Sequence, residues 1–144
     1  MKSLKIEEYM NSYPMSFTAD MSVEEASLLF LKDKQIGGPV IDEHGKLIGF
    51  LSENDVLANM IETLYYNEHV ANVADLMRTD VLSMKPYDNV IELGQLILKN
   101  KPKVYPVIDD EGKLLGTICR NDVLHAIDQQ MRANLKATKE NAAY

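Results

Sequence analysis

Pro39-Val40-Ile41-Asp42-Glu43-His44-Gly45-Lys46-Leu47-Ile48-Gly49-Phe50-Leu51-Ser52-Glu53-Asn54-Asp55-Val56-Leu57 returns without a gap as Pro106-Val107-Ile108-Asp109-Asp110-Glu111-Gly112-Lys113-Leu114-Leu115-Gly116-Thr117-Ile118-Cys119-Arg120-Asn121-Asp122-Val123-Leu124. The offset is 67 residues, and about half the positions from Val23 to Leu57 are identical in the second copy. Further out, Met10 falls on Met77 and Ser16 on Ser83. Repeats of about 20–50 residues usually signal solenoids or propellers. Two copies of a longer unit point instead to a pseudo-two-fold pair. Each copy is too short to bury enough surface alone, and packing on its twin supplies the missing core.

One unit reads in order as strand, helix, strand, strand, helix. Pro14 to Phe17 is a short extended piece. Ser22 suits an N-cap, with Glu24 and Glu25 in the positively polarised first turn. Val23, Ala26, Leu29 and Phe30 follow helical spacing, so a helix of about three turns is expected. Gly37-Gly38 is expected to break it. Pro39-Val40-Ile41 is an apolar strand, Asp42 to Gly45 a turn, and Leu47 to Leu51 the returning strand of a hairpin. Ser52 opens the next helix, with Val56, Leu57, Met60, Ile61 and Leu64 on one face. The second unit repeats this from Leu82 to Met131. The expected division is residues 1–66 for the first repeat, 67–72 for a linker that carries His69, 73–135 for the second repeat and 136–144 for a polar tail that frays. Tyr65-Tyr66 belongs either to packing beside the linker or to a dimer surface.

Composition bounds the function. The chain has 144 residues, 46% of them hydrophobic and 26% charged, a balance that excludes disorder over the whole length. No apolar run approaches the ~18 residues of a membrane span, and the first residues lack a signal-peptide stretch. The net charge of −7 argues against a broad nucleic-acid or anionic-membrane surface, which needs a basic face. A lone cysteine, Cys119, excludes an intrachain disulfide and a cysteine-rich zinc site. A cytoplasmic protein is expected. His44, His69 and His125 show no metal spacing, and no nucleophile–base set or carboxylate pair emerges, so an enzyme ranks last.

Gly49-Phe50-Leu51-Ser52-Glu53-Asn54-Asp55 resembles the Gly-apolar-apolar-Ser/Thr-x-x-Asp signature of CBS domains, named after cystathionine β-synthase. The preceding Gly38 to Leu47 resembles that family's hairpin. The second copy gives Gly116-Thr117-Ile118-Cys119-Arg120-Asn121-Asp122, with Cys119 in place of the hydroxyl residue. The resemblance extends from about residue 4 to residue 131. It implies an α+β fold of two CBS repeats packed as a pseudo-two-fold pair, a Bateman module without catalytic activity of its own. It also implies a homodimer. No cofactor is required. A ligand of the AMP, ADP, ATP or S-adenosylmethionine class is expected between the repeats, with the signal passed to a separate effector protein. The alternative is an interaction module that binds no nucleotide.

The resemblance places Ser52, Asn54 and Asp55 in one cleft and Asn121 and Asp122 in the other. An ionised aspartate is acceptor-only and suits the two hydroxyls of a ribose. Ser-x-x-acid at a helix start is equally a capping pattern, and the two roles are compatible. Lys103, just before Pro106, stands where the family places a phosphate-facing base, with Arg120 behind it. The corresponding first-copy residues, Ile36 and Gly37, carry no charge. This thin basic supply weighs against a triphosphate. Ser16-Phe17-Thr18 and Ser83-Met84-Lys85 correspond to the family's adenine-contacting strands, with strand packing the plainer role for Phe17 and Met84. Cys119 reads as a half-buried small residue rather than a nucleophile.

Overall fold

The computed structural model describes residues 4–66, 71–99 and 102–142. Most of the linker, residues 67–70 including His69, lies outside the described residues, as do residues 1–3 and the last two of the tail.

The first copy runs β1 (Phe17–Thr18), α1 (Val23–Asp33), β2 (Gly37–Ile41), β3 (Leu47–Ser52) and α2 (Glu53–Tyr66). A short α3 (Val73–Leu76) then leads to α4 (Val90–Ile97), β4 (Val104–Ile108), β5 (Leu114–Cys119) and α5 (Arg120–Ala142). β1 pairs in parallel with β2, and β2 antiparallel with β3. The second copy keeps the β4–β5 hairpin, but its first strand shrinks to one parallel bridge, Met84 to Val107. Ser22 caps α1 as expected, its Oγ accepting the Glu25 N–H at 3.1 Å.

Three expectations are corrected. α1 does not run to Gly37-Gly38; it stops where Lys34 takes the left-handed conformation (φ 54°) and donates its N–H to Phe30 O. The two glycines lie inside β2 because their neighbours leave no room for a side chain. A Cβ on Gly37 would sit 2.8 Å from Phe50 Cζ, and one on Gly38 2.8 Å from Met15 O. In the second copy Val104 and Tyr105 hold those places, and the buried Tyr105 ring fills its core as Phe17, tilted against Phe30, fills the first. The second correction concerns helix faces. Val56 and its counterpart Val123 are each 4% exposed and point into the cores, so Val56 leaves the outer apolar face of its helix. Leu57, Met60, Ile61, Leu64, Tyr65 and Tyr66 on α2, and Leu124, Met131 and Leu135 on α5, are exposed. Third, the polar tail from Lys136 is helical: α5 continues to Ala142, with Met131 to Asn141 exposed.

The two hairpins meet at the pseudo-dyad. Leu47 N–H donates to Gly112 O at 3.0 Å, and Leu114 N–H to Gly45 O at 2.9 Å. Gly45 and Gly112 have φ of 79° and 89°, where a Cβ is strained, which explains their identity in both copies. Asp42 Oδ1 accepts the His44 and Lys46 N–H groups, and Asp109 Oδ1 those of Glu111 and Lys113.

The copies also exchange their leading segments. Leu4 and Ile6 are buried in the core of the second hairpin with Val90, Leu93, Tyr105, Val107 and Ile118. Their counterpart Val73, on α3, is buried with Phe17, Val23, Phe30, Val40 and Leu51 of the first copy. Backbone bonds repeat the symmetry. Ile6 N–H donates to Asp88 O (2.9 Å) and Val73 N–H to Met21 O (2.8 Å). Asn11 bonds both ways to Thr117, and Arg78 both ways to Phe50. Gly49 and Gly116 are the floors on which these segments lie: a Cβ on Gly49 would meet Met77 Sδ at 2.7 Å and Arg78 O at 2.9 Å. A Cβ on Gly116 would collide with the Asn11 carbonyl oxygen. Each core therefore draws on both copies, which is the physical reason a single copy is too small.

Candidate functional site

Two clefts lie where the copies face each other, and they are related by the same pseudo-symmetry. The first has a volume of about 340 Å³ and is lined by Ile36, Phe50, Ser52, Glu53 and Asn54 from one copy and Pro102, Lys103 and Val104 from the other. The second, about 510 Å³, is lined by Lys34, Gln35 and Ile36 facing Lys103, Val104, Cys119, Arg120, Asn121 and Leu124. Both lie in the size range of small-ligand sites. In each, the residue just before the hairpin is tied to the start of the helix that follows it. Glu53 N–H donates to Ile36 O (2.9 Å), and Arg120 N–H to Lys103 O (3.0 Å). The first turns of α2 and α5 thus border the clefts, and the N-termini of helices favour anions.

Of the residues singled out from the sequence, Ser52, Asn54 and Lys103 come together in the first cleft, and Lys103 and Asn121 in the second. Lys103 lines both. Asp55, Asp122 and Thr18 are not among the lining residues. The aspartates lie in the first turn of their helices, one residue beyond Asn54 and Asn121, and take part in capping. Ser52 Oγ accepts the Asp55 N–H at 3.1 Å. In the second copy the thiol of Cys119 is a poor cap, and the bond runs the other way: Asp122 Oδ2 accepts the Cys119 N–H at 2.9 Å. Asp55 Oδ2 is buried with no hydrogen bond and lies 3.7 Å from Arg78 Nε, a residue delivered by the exchanged segment. Thr18 Oγ1 donates to Asp20 Oδ1 at 2.8 Å. Phe17 is buried in the core, where strand packing accounts for it.

The second cleft is more basic than the sequence suggested. Lys34 reaches it from the end of α1, joining Lys103 and Arg120. Sequence comparison within a copy missed Lys34 because it belongs to the first repeat and serves the cleft of the second. The signals for it in the sequence were its recurrence as Lys101 at the 67-residue offset and its place just after the helix, ahead of any glycine. Burial pushes the Cys119 thiol above its ordinary pKa, and the adjacent Asp122 carboxylate acts in the same direction. A nucleophilic cysteine needs the opposite shift. Among the described residues no three of His, Cys, Asp and Glu gather as a metal site, and no helix is long and apolar enough to cross a membrane.

Known proteins share this arrangement. The CBS domain family model matches residues 6–62 and 73–129. The protein MJ1426 of Methanocaldococcus jannaschii is 28% identical over 79% of this chain and 86% of its own length. CBSX1, a chloroplastic CBS domain-containing protein of Arabidopsis thaliana, is 29% identical over 78% of this chain, a match spanning 58% of CBSX1. The structure superposes on CBSX2 from Arabidopsis thaliana with a TM-score of 0.80 at 28% identity, covering 91% of this chain and 99% of that one. It superposes on CBSX2 in complex with AMP with a TM-score of 0.76 at 30% identity, covering 88% and 98%. With two matched repeats packed across a pseudo-dyad as in those structures, the chain belongs to the CBS domain family as a tandem pair.

Proposed function

We propose that this chain is a regulatory CBS pair that binds an adenosine-containing ligand between its repeats and passes the change to a partner protein. The observation that carries the reading is the pair of inter-repeat clefts lined by Ser52, Asn54, Asn121 and the shared Lys103. Support comes from CBSX2, a 30% identical pair crystallised with AMP. A ligand wedged between the copies touches both and alters the angle at which they pack, which gives binding a mechanical output. The module needs no chemistry of its own, and it acts in the cytoplasm. Asp122 gives one oxygen to the Cys119 N–H and keeps its other oxygen for a ribose hydroxyl. The homodimer forms through Leu57, Met60, Ile61 and Leu64 of α2 and Leu124 and Met131 of α5, which are exposed in one chain. Light scattering at micromolar concentration that returned the monomer mass would contradict that contact.

Thermal melting with AMP, ADP, ATP and S-adenosylmethionine tests the function. A ligand at 100 times its Kd stabilises the fold by about 2.7 kcal/mol. Asp122→Asn is then expected to fold normally and to lose affinity by roughly tenfold, since a charged hydrogen bond contributes about 1.5–3 kcal/mol. A melt unmoved by the whole panel favours the second reading, a pair that serves only as an interaction surface. The observation on that side is that neither aspartate is among the cleft-lining residues and that the Asp122 carboxylate is engaged in a helix cap.

A further inference from the structure

The two clefts are built on the same plan, yet one symmetry-related position carries opposite charge. Glu53 opens α2 at the rim of the first cleft, and Arg120 opens α5 at the rim of the second. Both are held in place by the same backbone bond, to Ile36 O and Lys103 O respectively. Lys34, the one non-glycine residue with positive φ among the described residues, also lines the second cleft, while its twin Lys101 lies outside the described residues, so the asymmetry is that of Glu53 and Arg120 alone. A lysine in that conformation is less favourable than glycine or asparagine, so the α1 C-cap is not optimised for the helix alone. From this asymmetry we infer that Glu53 and Arg120 are the charge selectors of the pair. Phosphate-bearing adenosine ligands occupy the second cleft, on Lys34, Lys103 and Arg120, and Glu53 excludes them from the first.

The inference rests on the proposed function and sharpens it from a ligand family to a charge rule. Guanidinium suits phosphate because its planar fork donates two parallel hydrogen bonds. A carboxylate at the equivalent place faces the same phosphate with like charge and no donor. Lys103 lines both clefts, so it supplies attraction without choosing between them. The choice falls to the position where the copies differ in sign.

The symmetry also makes the test benign for folding, because each substitution installs the residue that its twin position already tolerates. Calorimetry with AMP and with adenosine on wild type, Arg120→Glu, Arg120→Lys and Glu53→Arg reads the rule. Wild type is expected to take one AMP per chain. Arg120→Glu is expected to lose AMP affinity by roughly tenfold or more while adenosine affinity changes by less than about twofold. Arg120→Lys is expected to retain most of the AMP affinity. Glu53→Arg is expected to raise the stoichiometry to two AMP per chain. Two equal AMP sites in wild type, or an Arg120→Glu chain that binds AMP as wild type does, would overturn the charge rule and leave the proposed function standing. Equal loss of AMP and adenosine would also overturn it, since the residue would then be acting through structure. Absence of binding by either compound to wild type overturns the charge rule, and a melt unmoved by ATP and S-adenosylmethionine as well would overturn the proposed function.

Discussion

Gly116→Ala is the sharpest test of the exchanged segments. Gly116 has no positive φ, so alanine meets no backbone strain there. Its methyl group runs into the Asn11 carbonyl oxygen and stands 3.2 Å from Met10 Sδ. A backbone atom is the obstacle, so the segment itself must move. The first loss is the reciprocal pair Asn11 N–H to Thr117 O (2.8 Å) and Thr117 N–H to Asn11 O (3.0 Å). At about 1 kcal/mol per hydrogen bond this is about 2 kcal/mol. Replacing glycine also stiffens the unfolded chain, which returns about 0.4–1 kcal/mol. The net floor is therefore about 1 kcal/mol. If the segment detaches, Leu4 and Ile6, now 5% and 0% exposed, leave the second core. Each buried side chain contributes about 1.5–3 kcal/mol, so detachment adds about 3–6 kcal/mol. Total stability of a small domain is about 5–15 kcal/mol, so the upper end approaches unfolding of that half. The melting temperature is expected to fall by at least about 2–4 °C. Amide exchange is expected to quicken at Ile6, Asn11 and Val90, whose N–H groups bond across the exchange. Gly112→Ala is the control: its Cβ would meet nothing within 4 Å, and only its φ of 89° opposes it. A Gly116→Ala chain that melts at or above wild type, with Asn11 still protected, would refute the packing argument.

The Tyr105 hydroxyl is buried without a hydrogen-bond partner, so Tyr105→Phe removes an unpaid desolvation penalty; differential scanning calorimetry is expected to show stability unchanged or raised by about 1 kcal/mol. Cys119 alkylation measured against pH is expected to have its midpoint above the ordinary thiol range, because burial raises the thiol pKa; a midpoint below that range would contradict the burial. Asp42 and Asp109 have lowered pKa values, chiefly from the Lys46 and Lys113 N–H groups they accept. A carboxylate depressed on folding stabilises above its unfolded pKa, ordinarily 3.8, and that stabilisation disappears as pH falls through the lower folded value. Urea melts of Asp42→Asn and Asp109→Asn are therefore expected to show a shallower loss of stability below about pH 4 than wild type.

The amino-acid sequence by itself determined much of what depends on neighbours along the chain, though not the α1 end, which Lys34 sets three residues before the glycines. The hairpin turns follow from Asp42 to Gly45 and Asp109 to Gly112, where an aspartate collects two N–H groups and a glycine accepts positive φ. The α1 start follows from Ser22 and the acidic turn after it. The repeat carried this local logic into the second copy and, through the family resemblance, placed Ser52, Asn54, Asn121 and Lys103 at the clefts. Tertiary structure decided what joins distant stretches. Ile6 meets Val90 and Tyr105, and Val73 meets Phe17 and Val40, so the cores cut across the boundaries that the repeat suggests. Gly49 and Gly116 could be seen to recur, but their reason lay in a segment of the other copy lying over them. Lys34 joined Arg120 for the same cause: one lies at the end of a helix in the first copy and the other at the start of a helix in the second. A repeat reports what two copies have in common, whereas the charge of a cleft depends on which residue of one copy faces which residue of the other, and only packing brings them together.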